Sequence, residues 1–280
     1  MKYFGLTSSG SQRWINLYVI NLQPSELMKI GLILFLAKYY HRIPFSDVNK
    51  FRFLFFPIIC VTAPALLVIS QPDLGTAILI VAGGIIVAWL AGIKFKFFAY
   101  ISIIFLALAP IAISFLKPYQ KERILTFLNP DRDPLGAGYQ IIQSKIAIGS
   151  GGIFGKGYLL GSQSRLNYLP EKHTDFIFTL ISEEFGFLGS ISIILLFSIL
   201  VILIMKISFR VVPLFSKVVV FGIGFLLFLY LSLNIGMVCG LLPVVGAPLP
   251  LISYGGTSLL TMLIGIGIVL SINVHDKNIL

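Results

Sequence analysis

Leu169–Pro170–Glu171–Lys172–His173–Thr174–Asp175–Phe176–Ile177–Phe178–Thr179–Leu180–Ile181 marks a change of solvent within thirteen residues. It closes a long polar stretch, about 117–175, and Asp175 is the last ionisable group before an apolar run begins. A carboxylate at the lip of a membrane span is costly to keep there, so a partner or a task is expected for it.

The composition extends that reading to the whole chain. Hydrophobic residues make up 57%, charged residues 11%, and the mean hydropathy is +0.97. Soluble domains carry about one quarter charged residues. Lipid is therefore the expected solvent for most of this sequence. The net charge of +10 reads as the cytoplasmic excess of Lys and Arg in membrane proteins, and no nucleic-acid partner is expected. Cys60 and Cys239 stand far apart in apolar surroundings, which predicts neither a disulfide framework nor a metal cage. The first ten residues hold one lysine and no apolar core, so no cleavable signal peptide is expected there.

Seven apolar runs approach or exceed the ~20 residues a membrane helix needs: 26–41, 53–70, 76–93, 97–116, 178–205, 218–238 and 257–273. An all-α, polytopic helical bundle in a single membrane domain over 1–280 is the expected fold. The loop 42–52 carries Arg42, Lys50 and Arg52 against Asp47. The turn Gly92–Ile93–Lys94–Phe95–Lys96 is basic, and 206–217 holds Lys206, Arg210 and Lys217. These belong on the cytoplasmic side. Alternation then predicts 71–75, an ordered loop 117–175, and 239–256 outside, with the N-terminus outside and the C-terminus inside. Gly83, Gly84, Gly222 and Gly224 offer close helix approach.

Within the outer segment, residues 139–149 predict a short amphipathic helix stopped by glycine. Gly149–Ser150–Gly151–Gly152–Ile153–Phe154–Gly155–Lys156–Gly157 lacks the Gly-Lys-Ser/Thr ending of a nucleotide cradle. A tight loop returning to the membrane surface is the expectation. Residues 240–257 are apolar but hold three prolines and four glycines, so no continuous helix fits. Such backbone survives at membrane depth only when buried in protein or lining a cavity.

Several polar residues interrupt the apolar pattern. Glu26 and Lys29 share a helical face, either as an internal salt bridge or as a cavity lining. Asp73 precedes a span as a helix cap with a possible second role. Arg13 and Trp14 form a headgroup anchor, and Arg13 could equally hold a lipid phosphate. Glu183 and Glu184 lie two turns into the span after Asp175. Gathered on one outer cavity, Asp175, Glu183, Glu184, Asp73 and Glu26 would meet Lys29, Lys145, Lys172 or Arg123, or a divalent metal.

Gly10–Ser11–Gln12–Arg13–Trp14, Gln23–Pro24–Ser25–Glu26–Leu27–Met28–Lys29 and Gln71–Pro72–Asp73–Leu74–Gly75–Thr76 resemble the SEDS family (shape, elongation, division, sporulation). Asn129–Pro130, Asp133–Pro134–Leu135–Gly136, Gln143–Ser144, Pro170–Glu171–Lys172–His173–Thr174–Asp175–Phe176, Pro248–Leu249–Pro250 and Ser253–Tyr254–Gly255–Gly256 add to it. The resemblance runs nearly end to end and is greatest to the elongation branch. It implies a peptidoglycan glycosyltransferase of the cytoplasmic (inner) membrane that polymerises lipid II at its outer face. Partners would be a class B penicillin-binding protein transpeptidase and other elongation-complex membrane proteins. Asp175 matches the family's essential carboxylate. Arg13, Glu26, Lys29, Asp73, Lys145 and His173 correspond to the family's polar cavity residues, and Trp14 and Lys172 are further cavity or substrate candidates. No organic cofactor is expected, and a divalent cation, magnesium or manganese, would assist the diphosphate. The family's ten-span pattern implies three further spans ahead of the part matched here. Charges within spans and a broken segment also suit a lipid flippase or transporter. Against that alternative, the two halves show no internal repeat.

Overall fold

A computed structural model describes residues 6–8, 11–16, 21–114, 118–133, 136–165, 168 and 171–277. Gly10, Pro134, Leu135, Leu169 and Pro170, all part of the quoted motifs, lie outside the described residues, as does the side chain of Arg123. The fold is mostly helical. Helices α1 (Pro24–His41), α2 (Phe51–Ser70), α3 (Leu74–Leu90), α4 (Phe95–Ser114), α8 (Ile177–Arg210), α9 (Leu214–Val238) and α10 (Gly256–Lys277) overlie the seven apolar runs. Between α4 and α8 come α5 (Pro118–Leu128), a 3-10 turn (Pro130–Arg132), α6 (Ala137–Ser150) and α7 (Ser162–Arg165). Among the described residues, α2, α8, α9 and residues Gly256–His275 of α10 are long and apolar enough to cross a membrane. The chain is a multi-pass membrane protein.

The all-α expectation needs a correction at the N-terminus. Strands β1 (Leu6–Ser8), β2 (Ser11–Asn16) and β3 (Asn21–Leu22) form an antiparallel sheet in the order β1-β2-β3. These strands are short, polar and without strict alternation, so the period-2 signal is missing.

The chain divides into two compact units. The first comprises Met1–Ile93, Phe197–Leu231 and Pro250–Leu280. Here α1 packs on α2, α3 and α10 around buried Ile33, Leu36, Leu79, Val219 and Leu226. Glycine sets the spacing at three of the four expected positions. A Cβ on Gly84 would overlap Val61, and one on Gly222 or Gly224 would come within 2.8 Å of Ile33 or Ile204. Gly83 faces open space.

The second unit comprises Lys94–Leu196 and Ser232–Leu249, with Ile141, Ala147, Phe176, Phe178 and Met237 buried in it. Helix α6 ends at Ser150 beside Gly151, as its glycine stop predicts. Residues 239–255 form no helix, yet Val245, Ala247 and Leu249 are buried. The prolines and glycines deny that stretch a helical ladder, and protein covers its apolar side chains.

Helix α8 departs from a plain span. Gly186 has φ 65° and ψ −157° inside it, a break between two helical pieces. Only glycine occupies that region without strain. Glu183 and Glu184 stand two turns into α8, as expected, and just ahead of this break.

Candidate functional site

In the first unit, Asp73 closes the N-terminus of α3. Its Oδ1 accepts from the Thr76 amide at 3.1 Å, the expected cap. The second role is present too. Arg13 pairs with Asp73 Oδ2 at 3.4 Å, donates from Nε to the Gln71 carbonyl at 2.9 Å, and donates from Nη2 to the Pro72 carbonyl at 2.5 Å. Gln23 Nε2 adds a bond to Asp73 Oδ2 at 3.1 Å. The Gln23 amide donates to Thr257 Oγ1, which donates to the Asn21 carbonyl, so the start of α10 is tied to the strand before α1. Arg13 thus braces the turn between α2 and α3. Trp14, beside it on β2, is half-buried.

Glu26 and Lys29 form the buried salt bridge that one reading of their spacing predicts. Lys29 Nζ lies 2.6 Å from Glu26 Oε1, with side chains 1% and 5% exposed. Tyr230 completes the group. Its hydroxyl donates to Glu26 Oε2 at 2.8 Å and also accepts from Lys29 Nζ. Each ion then has its charge and several of its hydrogen-bonding positions satisfied inside protein, the condition under which a buried pair is tolerated.

In the second unit, Asp175 ends the turn that starts at Glu171. The Thr174 and Phe176 amides both donate to the Glu171 carbonyl, and Phe176 is buried beneath. Asn234 Nδ2 donates to the Asp175 carbonyl at 2.8 Å and to the Ala247 carbonyl at 2.7 Å. A Cβ on Gly246 would sit 3.4 Å from Asp175 Oδ2, so the carboxylate lies against the irregular segment 239–249. Lys145 on α6 lies across Gly240 at the start of that same segment, leaving no room for a Cβ there. Ser144, buried on α6, bonds Thr179 Oγ1 and the Val238 carbonyl, both at 2.7 Å. His173 is exposed and Lys172 half-buried in the turn before Asp175.

Glu183 has a structural assignment. Its Oε1 accepts from Lys156 Nζ at 2.8 Å, Ser162 Oγ at 3.1 Å and the Gln163 amide at 3.1 Å. The glycine loop is no phosphate cradle, because the amides of Lys156 and Gly157 donate to the Glu183 and Glu184 carbonyls. A cavity of about 300 Å³ lies in this unit, lined by Phe178, Ser182, Gly186, Ser190 and Cys239 among others. Burial pushes the Cys239 thiol up, with Lys145 pulling it the other way.

Glu26, Asp73 and Glu183 each hold a basic side chain. Among the described residues, no three His, Cys, Asp or Glu side chains gather as a cation cage. The sequence reading missed Gln23, Tyr230, Asn234 and Thr257. Tyr230 and Asn234 interrupt the apolar run of α9, which was the available signal for them.

Helices that cross a membrane, with buried ions clustered near their ends, define a polytopic membrane protein built around polar sites. The chain belongs to the FtsW, RodA and SpoVE family of cell cycle proteins, whose pattern it matches over residues 1–278. Among its relatives, the peptidoglycan glycosyltransferase MrdB of Escherichia coli K12 is 45% identical over 277 residues, 98% of this chain and 74% of MrdB. Stage V sporulation protein E of Bacillus subtilis is 40% identical over 98% of this chain and 74% of its own length. One solved relative is a chain of a peptidoglycan synthase complex studied for how it coordinates polymerization and crosslinking. It has a TM-score of 0.81 and 34% identity, covering 97% of this chain and 76% of that one. RodA of Thermus thermophilus has a TM-score of 0.67 and 26% identity, covering 97% of this chain and 72% of RodA.

Proposed function

We propose that Asp175 is the general base of a glycosyl transfer that lengthens glycan strands from lipid II. The chain is a peptidoglycan glycosyltransferase acting in cell elongation. The observation that carries this is the 45% identity to a peptidoglycan glycosyltransferase across 98% of the chain. In our reading the reaction runs at the outer face of the cytoplasmic membrane, with seven spans in this chain and 117–175 outside. The basic loops 42–52, 92–96 and 206–217 support that orientation.

Transfer needs a base for the attacking sugar hydroxyl and charge relief for the leaving diphosphate. Asp175 is supported as the base by its seat. Its backbone carbonyl is tied by Asn234, and its carboxylate lies against Gly246 in the irregular segment. Base assistance of this kind is worth about 10²–10⁴-fold in rate. The hydroxyl oxygen attacks the anomeric carbon as Asp175 takes its proton, and the bond to the diphosphate oxygen breaks. A single displacement inverts the centre. Lys145, exposed and bordering the same irregular segment, is the cation we assign to the diphosphate. The substrate roles of Arg13, Glu26, Lys29, Asp73 and His173 rest on the family resemblance, and those of Trp14 and Lys172 on their place beside these residues. A divalent cation would arrive with the diphosphate rather than reside in the protein.

A class B penicillin-binding protein transpeptidase is the proposed partner, with other elongation-complex membrane proteins. The relative solved within a peptidoglycan synthase complex supports that pairing. The test is polymerisation of purified lipid II by the chain with its transpeptidase partner, read as glycan strands on a gel. Asp175→Asn is expected to lower the rate by about 10²-fold or more while the protein stays folded. Normal strands from that variant would remove Asp175 from the mechanism. Lipid translocation without strands would replace the enzyme reading with transport.

A further inference from the structure

We propose that residues 153–160 form an interfacial anchor that lies in membrane lipid, seated there by the break in α8. This goes beyond the glycosyl transfer reading and does not depend on it.

The break and the loop are complementary. The Glu183 and Glu184 carbonyls accept from the Lys156 and Gly157 amides, both at 3.0 Å. On the far side of Gly186, the Phe187 amide donates to the Gly152 carbonyl at 2.8 Å and the Leu188 amide to the Ile153 carbonyl at 3.1 Å. Four main-chain bonds thus stitch the loop into the gap. Gly155 (φ 80°) makes the close approach possible, since a Cβ there would overlap the Glu184 carbonyl.

That stitching sets the depth of the loop. Helix α8 runs on from the break to Arg210. At about 1.5 Å per residue that stretch covers roughly 36 Å, enough for a hydrocarbon core of about 30 Å. Because the piece beyond the break is long enough to cross the core by itself, we place the break at one boundary of the core, with the loop bonded to it at the same level.

The loop's surface suits that level. Phe154 is 80% exposed, Tyr158 70% and Leu160 58%. The Tyr158 ring stands 6.4 Å from Phe185, and Phe187 is itself exposed, so the apolar surface continues onto α8. Lys156 carries the one charge in 151–161 and folds back onto Glu183 at 2.8 Å. An apolar surface continuous with a membrane helix, holding its single charge inward and offering a tyrosine, fits the headgroup and acyl boundary. Lipid is the occupant that this continuity selects.

Tryptophan reporters test the placement in the full chain reconstituted into phosphatidylcholine vesicles. Phe154→Trp and Tyr158→Trp are compared with Leu196→Trp on the exposed mid-span face of α8, after subtracting the emission of native Trp14 and Trp89. One quencher is lipid brominated near the headgroup end of its acyl chains, and the other is aqueous iodide. We expect both loop reporters to lose at least as much emission to the brominated lipid as Leu196→Trp does, with no loss to iodide. Loss to iodide without loss to lipid would put the loop in water and overturn the proposal. Insensitivity to both would mean that protein covers the loop and would overturn it equally. Two reporter positions keep the outcome readable if one variant fails to fold.

Discussion

Replacing Lys29 with methionine removes the ammonium that Glu26 and Tyr230 share, and the cost follows from the burial of the group. Glu26 is 5% and Lys29 1% exposed at the side chain, with 2.6 Å between the charged atoms. Once the cation is gone, Glu26 keeps the Tyr230 hydroxyl at 2.8 Å but no countercharge. Breaking a buried pair from one side costs about 3–5 kcal/mol, mostly the penalty of the stranded charge. Lys29→Met and Glu26→Gln should each fall in that range. The double variant should recover most of the loss, since a neutral pair of similar volume costs little. The single losses should therefore fail to add, by roughly 5 kcal/mol or more. Tyr230→Phe should cost less, about 1.5–3 kcal/mol for a hydrogen bond to a charged group. Denaturant unfolding of the purified chain in detergent reads all four, and lipid II polymerisation below the unfolding midpoint reads the chemistry. A Lys29→Met protein as stable as the unaltered chain would refute the lock, as would strictly additive single losses. A stable but inactive double variant would assign the pair to substrate in addition.

The other predictions concern the elements that shape the two sites. Gly186→Ala forces a side chain into glycine-only backbone, at about 1–3 kcal/mol, and into the Gly155 amide and Ile153 carbonyl as well. Its unfolding midpoint should drop and protease nicking within 151–161 should rise; an unchanged midpoint would refute the stitched break. Asn234→Leu strands the Asp175 and Ala247 carbonyls at about 1–3 kcal/mol each. It should also slow polymerisation more than it weakens substrate use, and normal turnover would separate Asn234 from the seat of Asp175. Asp73→Asn keeps a cap for Thr76 and loses the pair with half-buried Arg13 and the bond from Gln23, so about 1–2 kcal/mol is expected. Asp73→Ala should lose about 1 kcal/mol more with the cap, and equal losses in thermal unfolding would contradict that division.

Much of the helical framework was legible because its causes are local. Each apolar run is long enough to satisfy its own backbone, and each coincides with a helix. Asp73 reads as a cap from its place before Leu74, and the stop of α6 reads from the glycines beside it. Gly186 was not legible, because in an apolar helical run a single glycine looks like any packing residue. Its conformation is decided by loop amides and carbonyls more than twenty-five residues earlier in the chain. The same distant contacts hid the break that Glu183 and Glu184 precede. The β-sheet of 6–22 was missed because short polar strands carry little pattern of their own.

The amino-acid order alone determined that this chain lives in lipid, where its helices run, and which few ionisable groups lie at their ends. Those follow from transfer energies and hydrogen-bond periodicity, which act over one or two turns. Tertiary structure decided what each of those groups faces. Glu26 met Lys29 and Tyr230, Asp73 met Arg13, and Glu183 met Lys156, each in an ion pair. Asp175 settled against Gly246 with its backbone held by Asn234. A buried charge is stable only beside its partner, and those partners are brought by segments distant in sequence.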